Sequence, residues 1–329
     1  MTTERKIPSG GKKAGSTACL LGTAMIWGLA FVAQRTGMDS IGPFYFSAFR
    51  MLLGSAALWA VALIAGIKNR SGADEPPAEE EKRQNRRALW TGGVSCGIII
   101  FFASNLQQIG LVSVDAGKTG FITALYILLV PIFGIFLKHR TSIFNWAGAL
   151  LGAIGLYFLC ITSDFSISPG DLTVLIGAFF WAVHIIFVDH FAPRVNAVKL
   201  TAVQFLVAGT ISLAVALFRE TVSLEAVQGA GTAIAYTGIM STAVAFTLQA
   251  LGQKNANPTA AAIIMSTEAL FATLTGFVIL GETLTERELT GCAFMMAAVI
   301  ISQLPSKGKA PSREQEKGEM DNKDDEKRT

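Results

Sequence analysis

Charge is what this sequence has least of. Asp, Glu, Lys and Arg make up 16 % of its 329 residues, against 51 % hydrophobic, where a soluble domain carries about a quarter charged residues. The shortfall is concentrated in apolar runs of about 18–25 residues, the length that crosses a bilayer core. An ordinary water-soluble globule is therefore excluded. Cysteine is also sparse: Cys19, Cys96, Cys160 and Cys292 all lie in apolar runs without C-x-x-C spacing, which argues against a disulfide framework or a zinc site. They read as small buried hydrophobes. His184 and His190 stand six residues apart, off a common helix face, so no metal is expected between them. The chain has no G-x-x-x-x-G-K-[ST] cradle for nucleotide phosphates, no G-x-S-x-G and no Cys–His pair. The expectation is a protein that is not an enzyme, with no cofactor and no metal. Any transport it performs would draw on an ion gradient or on the substrate's own gradient.

What is present is an all-α polytopic membrane protein. Its pattern predicts ten transmembrane helices, near 16–36, 43–67, 89–111, 116–137, 143–162, 170–191, 197–218, 231–251, 258–280 and 287–304. Pro43, Pro169 and Pro258 stand at or just before helix starts, where the missing N–H costs little. Pro131, inside the fourth helix, is expected to kink it. Residues 68–87 form a charged linker and 305–329 a polar tail without aromatics, expected to be disordered. The basic leader "ERKIPSGGKKAG", within residues 1–15, precedes a run too long for a signal-peptide core. It reads as a retained anchor.

Basic loops stay cytoplasmic. With the N-terminus inside, all of the 27 Lys and Arg fall on the inner side except Arg35, Arg50, Lys118, Arg219 and Arg287. Both termini are then cytoplasmic, in the cytoplasmic (inner or plasma) membrane. The net charge of +3 reports this topology and not a nucleic-acid partner.

An internal repeat is legible. Residues 25–64 align without a gap on 179–218 at an offset of 154, setting Trp27 on Trp181 and Arg50 on Gln204. "NLQQIG" (105–110) matches "TLQALG" (247–252), setting Gln107 on Gln249. Two repeats of five helices, 16–162 and 170–304, follow from this pairing. An odd number of spans inserts the second copy upside down. Inverted repeats put a substrate site at their interface near mid-bilayer and allow alternating access.

The segments "WGLAFVAQR", "FSAFRMLLG", "FITALYILLVPIFG" and "EALFATLTGFVILGETLTERELTG" together resemble the EamA type of the drug/metabolite transporter superfamily. The resemblance spans about 16–304. It implies a secondary transporter, mostly an exporter, of amino acids, other small metabolites or drugs. The second repeat's Gly281–Glu282 reads Lys138–His139 in the first, a departure that falls in a loop.

Polar residues within the apolar runs are the candidate site. Glu268 lies about ten residues into the ninth helix, and an ionisable group at that depth usually faces the bundle interior with a function. It binds a cationic or amine-bearing substrate, carries a coupling proton, or packs as a neutral acid. Arg50 either meets a substrate carboxylate, snorkels to the headgroups or pairs with an outer acid such as Asp39. Trp27, Trp181 and His184 are candidate cavity walls. Asn105, Gln107, Gln108, Gln249 and Tyr126 either orient a ligand or glue helices. "GALLGAIG" (148–155) permits close helix contact within the protomer or across a homodimer. Asp115 and Lys118 read as solvated or mouth charges. The expected partners are a small-molecule substrate, the bilayer and a coupling proton. The competing readings are a membrane-embedded enzyme, a scaffold using linker and tail, and an importer of the same fold.

Overall fold

The computed structural model describes residues 10–69, 79–114, 116–137, 141–161, 167–280 and 285–304. Most of the N-terminal leader, the centre of the linker, Asp115, the Lys138–His139 and Gly281–Glu282 pairs and the tail lie outside them. The described residues are helical almost throughout: α1 (Gly10–Met38), α2 (Pro43–Asn69), α3 (Glu79–Ser113), α4 (Ala116–Ala124), α5 (Tyr126–Phe136), α6 (Ile143–Cys160), α7 (Pro169–Phe191), α8 (Ala197–Arg219) and α9 (Leu224–Gly229). There follow α10 (Gly231–Tyr236), a π segment (Thr237–Ala245), α11 (Phe246–Gln253), α12 (Pro258–Met265), α13 (Glu268–Leu280) and α14 (Glu286–Ser302). Eight stretches, from 11–38 to 231–253, are long and apolar enough to cross a membrane. The last two expected spans are covered by α12–α13 and by the 17-residue α14, which are not among the eight. The outer surfaces of the spans carry bare apolar side chains, such as Ile64 of α2 at 67 %, Phe136 of α5 at 80 % and Phe218 of α8 at 89 % exposure. Such a belt is stable facing lipid and not water.

Four expectations need correction. The linker is shorter than 68–87, because α3 begins at Glu79 and runs 35 residues, about 52 Å at 1.5 Å per residue. Pairs such as Glu80 and Arg83, at i,i+3 on its first turns, favour that extension. The fourth span breaks at Leu125, between α4 and α5, and not at Pro131, which sits inside α5. The ninth span breaks at Ser266–Thr267 without any proline. There Ser266 Oγ donates to the Ile263 carbonyl at 2.9 Å and Thr267 Oγ1 to that of Ile264 at 2.6 Å, so hydroxyls compete with the backbone for its acceptors. Lys118, finally, is not a solvated charge. It pairs at 2.7 Å with Asp171, a buried residue that also caps α7 through a capping box with Ser168.

Two of the five basic residues that break the charge bias, Arg35 and Arg287, serve helix ends. Arg35 Nη1 donates to the Leu111 and Val114 carbonyls at the end of α3, at 2.9 and 3.1 Å. Arg287 Nε reaches the Phe158 carbonyl near the end of α6 at 3.3 Å. Both use the negative end of a helix dipole. Glu220 does the converse, accepting the Phe44 and Tyr45 N–H groups at the start of α2 at 3.0 and 2.9 Å.

Packing pairs α2 with α8, α6 with α14, α3 with α7 and α8, and α1 with α10–α11 and α13. Glycine sets the closest approaches. In "GALLGAIG", a Cβ on Gly155 would lie 3.0 Å from the Gly291 carbonyl oxygen of α14, so that motif serves packing inside the chain. A Cβ on Gly28 would lie 2.6 Å from the carbonyl oxygen of Glu268. Only glycine lets α1 lie this close to the break before α13.

Candidate functional site

Where α1, α2, α3, α7 and the two broken spans converge, a narrow cavity holds about 510 Å³ of atom-free space, its mouth included. Seven expected residues line it: Trp27, Arg50, Gln107, Tyr126, Trp181, Gln249 and Glu268. Glu268 is the first residue of α13, immediately after the break, and is 4 % exposed. The free N–H groups at a helix start favour a carboxylate there. Among the described residues no hydrogen bond or ion pair engages that carboxyl group. Tyr126 is likewise the first residue of α5, after the other break. Arg50, 4 % exposed, donates through Nη2 to Ser104 Oγ on α3. It neither snorkels nor pairs with Asp39.

The middle of the cavity is aromatic. The Trp27 and Trp181 rings lie 6.3 Å apart, and Phe246 touches both, at 4.7 and 5.9 Å. The Trp27 indole donates to the Ser241 carbonyl of the π segment at 3.3 Å. Rings, an acid, a base and amides in one cleft suit a small polar solute with an apolar part.

Three expected residues do not reach the cavity. Asn105 Nδ2 donates to Ser212 Oγ at 2.8 Å, joining α3 to α8. Gln108, fully buried, donates to Met38 Sδ at 2.9 Å. His184, also fully buried, donates from Nε2 to Gln204 Oε1 at 3.1 Å. Each connects helices behind the wall. Conversely, the sequence reading missed Phe31, Gln34, Thr123, Ile185, Ser241 and Phe246, which line the cavity. Helical spacing was the available signal for four of them. Phe31 and Gln34 follow Trp27 at i+4 and i+7, Ile185 follows Trp181 at i+4, and Phe246 precedes Gln249 by three within α11; Thr123 is separated from Tyr126 by the break at Leu125. Ser241 lies in the π segment, where a wider turn shifts the phase and that signal fails. No cluster of three or more metal-ligating side chains occurs among the described residues.

A model of the EamA-like transporter family matches this chain twice, over residues 16–161 and 168–303. An uncharacterized transporter of Archaeoglobus fulgidus is 29 % identical over 287 residues, covering 85 % of this chain and 83 % of its own length. The uncharacterized inner membrane transporter YedA of Escherichia coli K12 is 23 % identical over 85 % of this chain and 88 % of its own. The chloroplastic WAT1-related protein At3g02690 of Arabidopsis thaliana is 25 % identical, over 87 % and 69 %. A solved crystal structure superposes with a TM-score of 0.70 at 20 % identity, covering 88 % of this chain and 96 % of the other. That likeness concerns the fold alone.

Proposed function

The chain belongs to the EamA-like transporter family, and from that premise we propose that it is a secondary transporter of a small amine-bearing metabolite, acting as an exporter across the cytoplasmic membrane. The mechanism is alternating access between two halves of inverted topology, each contributing five spans. The observation that carries this reading is who meets in the cavity. Trp27 and Trp181 are equivalents at an offset of 154, and Gln107 and Gln249 at 142. The same offset of 142 sets Tyr126 on Glu268, each opening the second part of a broken span. All six line one cavity. A pseudo-two-fold axis through that cavity accounts for this, and substrate sites at interrupted helices near mid-membrane are a recurrent design of transporters with inverted repeats.

Glu268 is the group that meets the substrate's amine. When the amine leaves, the same carboxyl takes a proton, which makes proton exchange the favoured coupling. The test is untargeted metabolite profiling of medium and cytosol, from cells carrying the wild type, Glu268→Gln or an empty vector at matched levels. An amine-bearing metabolite enriched in the medium with the wild type alone is the expected result. Equal enrichment with Glu268→Gln would keep the transporter and remove Glu268 from its mechanism.

A further inference from the structure

Residues Thr237–Ala245 form a π-helix of nine residues inside a span. π geometry is rare and mostly limited to a single turn, so a stretch of this length needs something to hold it. Its counterpart at an offset of 142, residues 95–103, is regular α-helix. The two differ in what faces them. Thr23 of α1 is fully buried, and its one hydroxyl proton is shared between two carbonyls. One is Ala245 of the π segment, at 3.0 Å, and the other is Cys19 of its own helix, at 3.1 Å. One turn on, the Trp27 indole takes the Ser241 carbonyl. In the other half the counterpart of Thr23 is Gly177, which brings no hydroxyl. A Cβ there would lie 3.3 Å from the carbonyl oxygen of Ala103, the counterpart of Ala245. Trp181 Nε1 has no partner among the described residues.

The end of the π segment explains why it takes donors from α1. Phe246, which closes it, donates its N–H to the Ala243 carbonyl, three residues back. A wide ring closed by Phe246 would use the Ser241 carbonyl, five back. A step from wide rings to a tight one passes over carbonyls, which then take donors from elsewhere. For Ser241 that donor is the Trp27 indole. The wide rings also decide the cavity wall. Ser241, Phe246 and Gln249 all line it. Residues five apart come near one face on a π turn but lie about 140° apart on an α-helix, at about 100° per residue. With Ser241 kept in place, α geometry would bring Ala245 and Leu248 to the wall at i+4 and i+7, displacing Phe246 and Gln249.

We propose that Thr23 is a positioning residue, which with Trp27 holds residues 237–245 as a π-helix and so sets which face of α11 meets the cavity. Phe246 and Gln249 form the wall because hydrogen bonds from α1 keep the wide turns in place. That the cavity is the substrate's rests on the transport reading above; the helix geometry does not. The other brace available to the turn is α2, since a Cβ on Gly238 would lie 3.0 Å from the Arg50 carbonyl oxygen.

The test is thiol labelling of the full chain in lipid nanodiscs, with Cys19, Cys96, Cys160 and Cys292 replaced by alanine. Ala245→Cys, Phe246→Cys, Leu248→Cys and Gln249→Cys are made singly, and each is reacted with a small neutral methanethiosulfonate. The reading is the ratio of rates, 246 over 245 and 249 over 248, so that a general change in access cancels. Melting temperatures report folding. With Thr23 in place both ratios should favour 246 and 249. Thr23→Val keeps the side-chain shape and removes the hydroxyl. It should lower both ratios about threefold to tenfold, one buried hydrogen bond's worth. Trp27→Phe should lower them in the same direction. Thr23→Ser should keep the original ratios, which a role in packing alone would not predict. Faster labelling at 245 and 248 with Thr23 present would mean an α-helical segment and overturn the proposal. So would unchanged ratios with Thr23→Val, or with Thr23→Ala where the valine variant does not fold, leaving Gly238 against α2 as the brace. Serine behaving as valine would assign the role to the methyl group and overturn it too. Labelling needs no substrate, so each of these outcomes leaves the transport reading standing.

Discussion

The two parts of the chain that match the family model differ most where they are most alike. Each has a span interrupted about ten residues in, with one side chain presented to the cavity just past the break. In the first that side chain is a phenol, Tyr126; in the second it is an acid, Glu268. Arg50 of the first lines the cavity, while its counterpart Gln204 is withdrawn into a bond with His184. Gln34 lines it, while its counterpart Val188 is packed in an apolar cluster with Cys96, Leu200 and Ala250. The framework is thus duplicated and the chemistry divided, with one charge supplied by each part. Duplicated backbone carries the geometry of the breaks, and single substitutions on it carry recognition.

The sharpest way to break this comparison is to remove each side chain past the break in turn. Glu268→Gln should abolish export, about a hundredfold or more, since a buried charge pair with a substrate amine is lost outright. Tyr126→Phe should lower it by about tenfold, one hydrogen bond's worth. The measurement is the initial rate of appearance in the medium of the metabolite identified by profiling. Equal losses would mean that the two positions are alike in role as well as in place.

A smaller effect separates the two packing environments. Gly28 and its counterpart Ala182 both sit one residue after a cavity tryptophan. At Gly28 even a methyl group would press on the Glu268 carbonyl and on the Ala272 nitrogen, at 2.6 and 2.9 Å. Gly28→Ala should therefore shift α13 and cost about 1–3 kcal/mol, with export falling alongside. Ala182 already carries its methyl in a fully buried site, and Ala182→Gly should cost only about 1 kcal/mol, the helix propensity of glycine with the lost methyl. Thermal unfolding of the purified protein in nanodiscs distinguishes them. If both cost the same, Gly28 is not what positions Glu268.

How much of this was legible beforehand depends on the physical scale of each feature. Spans announce themselves because about twenty apolar residues in succession have few other uses, and Pro43, Pro169 and Pro258 do begin α2, α7 and α12. No break was foreseen in either span, only a kink at Pro131 in the fourth. Leu125 lies six residues before Pro131, and its counterpart break needs no proline, only hydroxyls able to occupy carbonyls. Glu268 stood out because a lone acid in an apolar run has no cheap solvent-free alternative. The amides did not sort themselves. Gln107 lines the cavity, while Gln108, the next residue, contacts Met38, and Asn105 contacts Ser212. Successive helix residues point about 100° apart, so composition reveals that α3 has polar work to do, and only packing reveals toward which neighbour. The π segment left no mark in the hydrophobic pattern.

The least effect expected tests that last point, because Asn105 has a counterpart, Thr247 at an offset of 142, whose buried hydroxyl has no partner. Asn105 bridges α3 to α8 through Ser212, which is itself fully buried. Replacing Asn105 by Leu strands the Ser212 hydroxyl and should cost about 0.5–1.5 kcal/mol, the range of single interhelical hydrogen bonds in membranes. Thr247→Val strands nothing, and should leave stability unchanged within about 0.5 kcal/mol. Neither residue lines the cavity, so neither change should alter the initial export rate per folded protein. A fall in that rate from Asn105→Leu alone would move Asn105 from the frame into the site, and would show that polar work in α3 is not divided by helix face as its neighbours suggest.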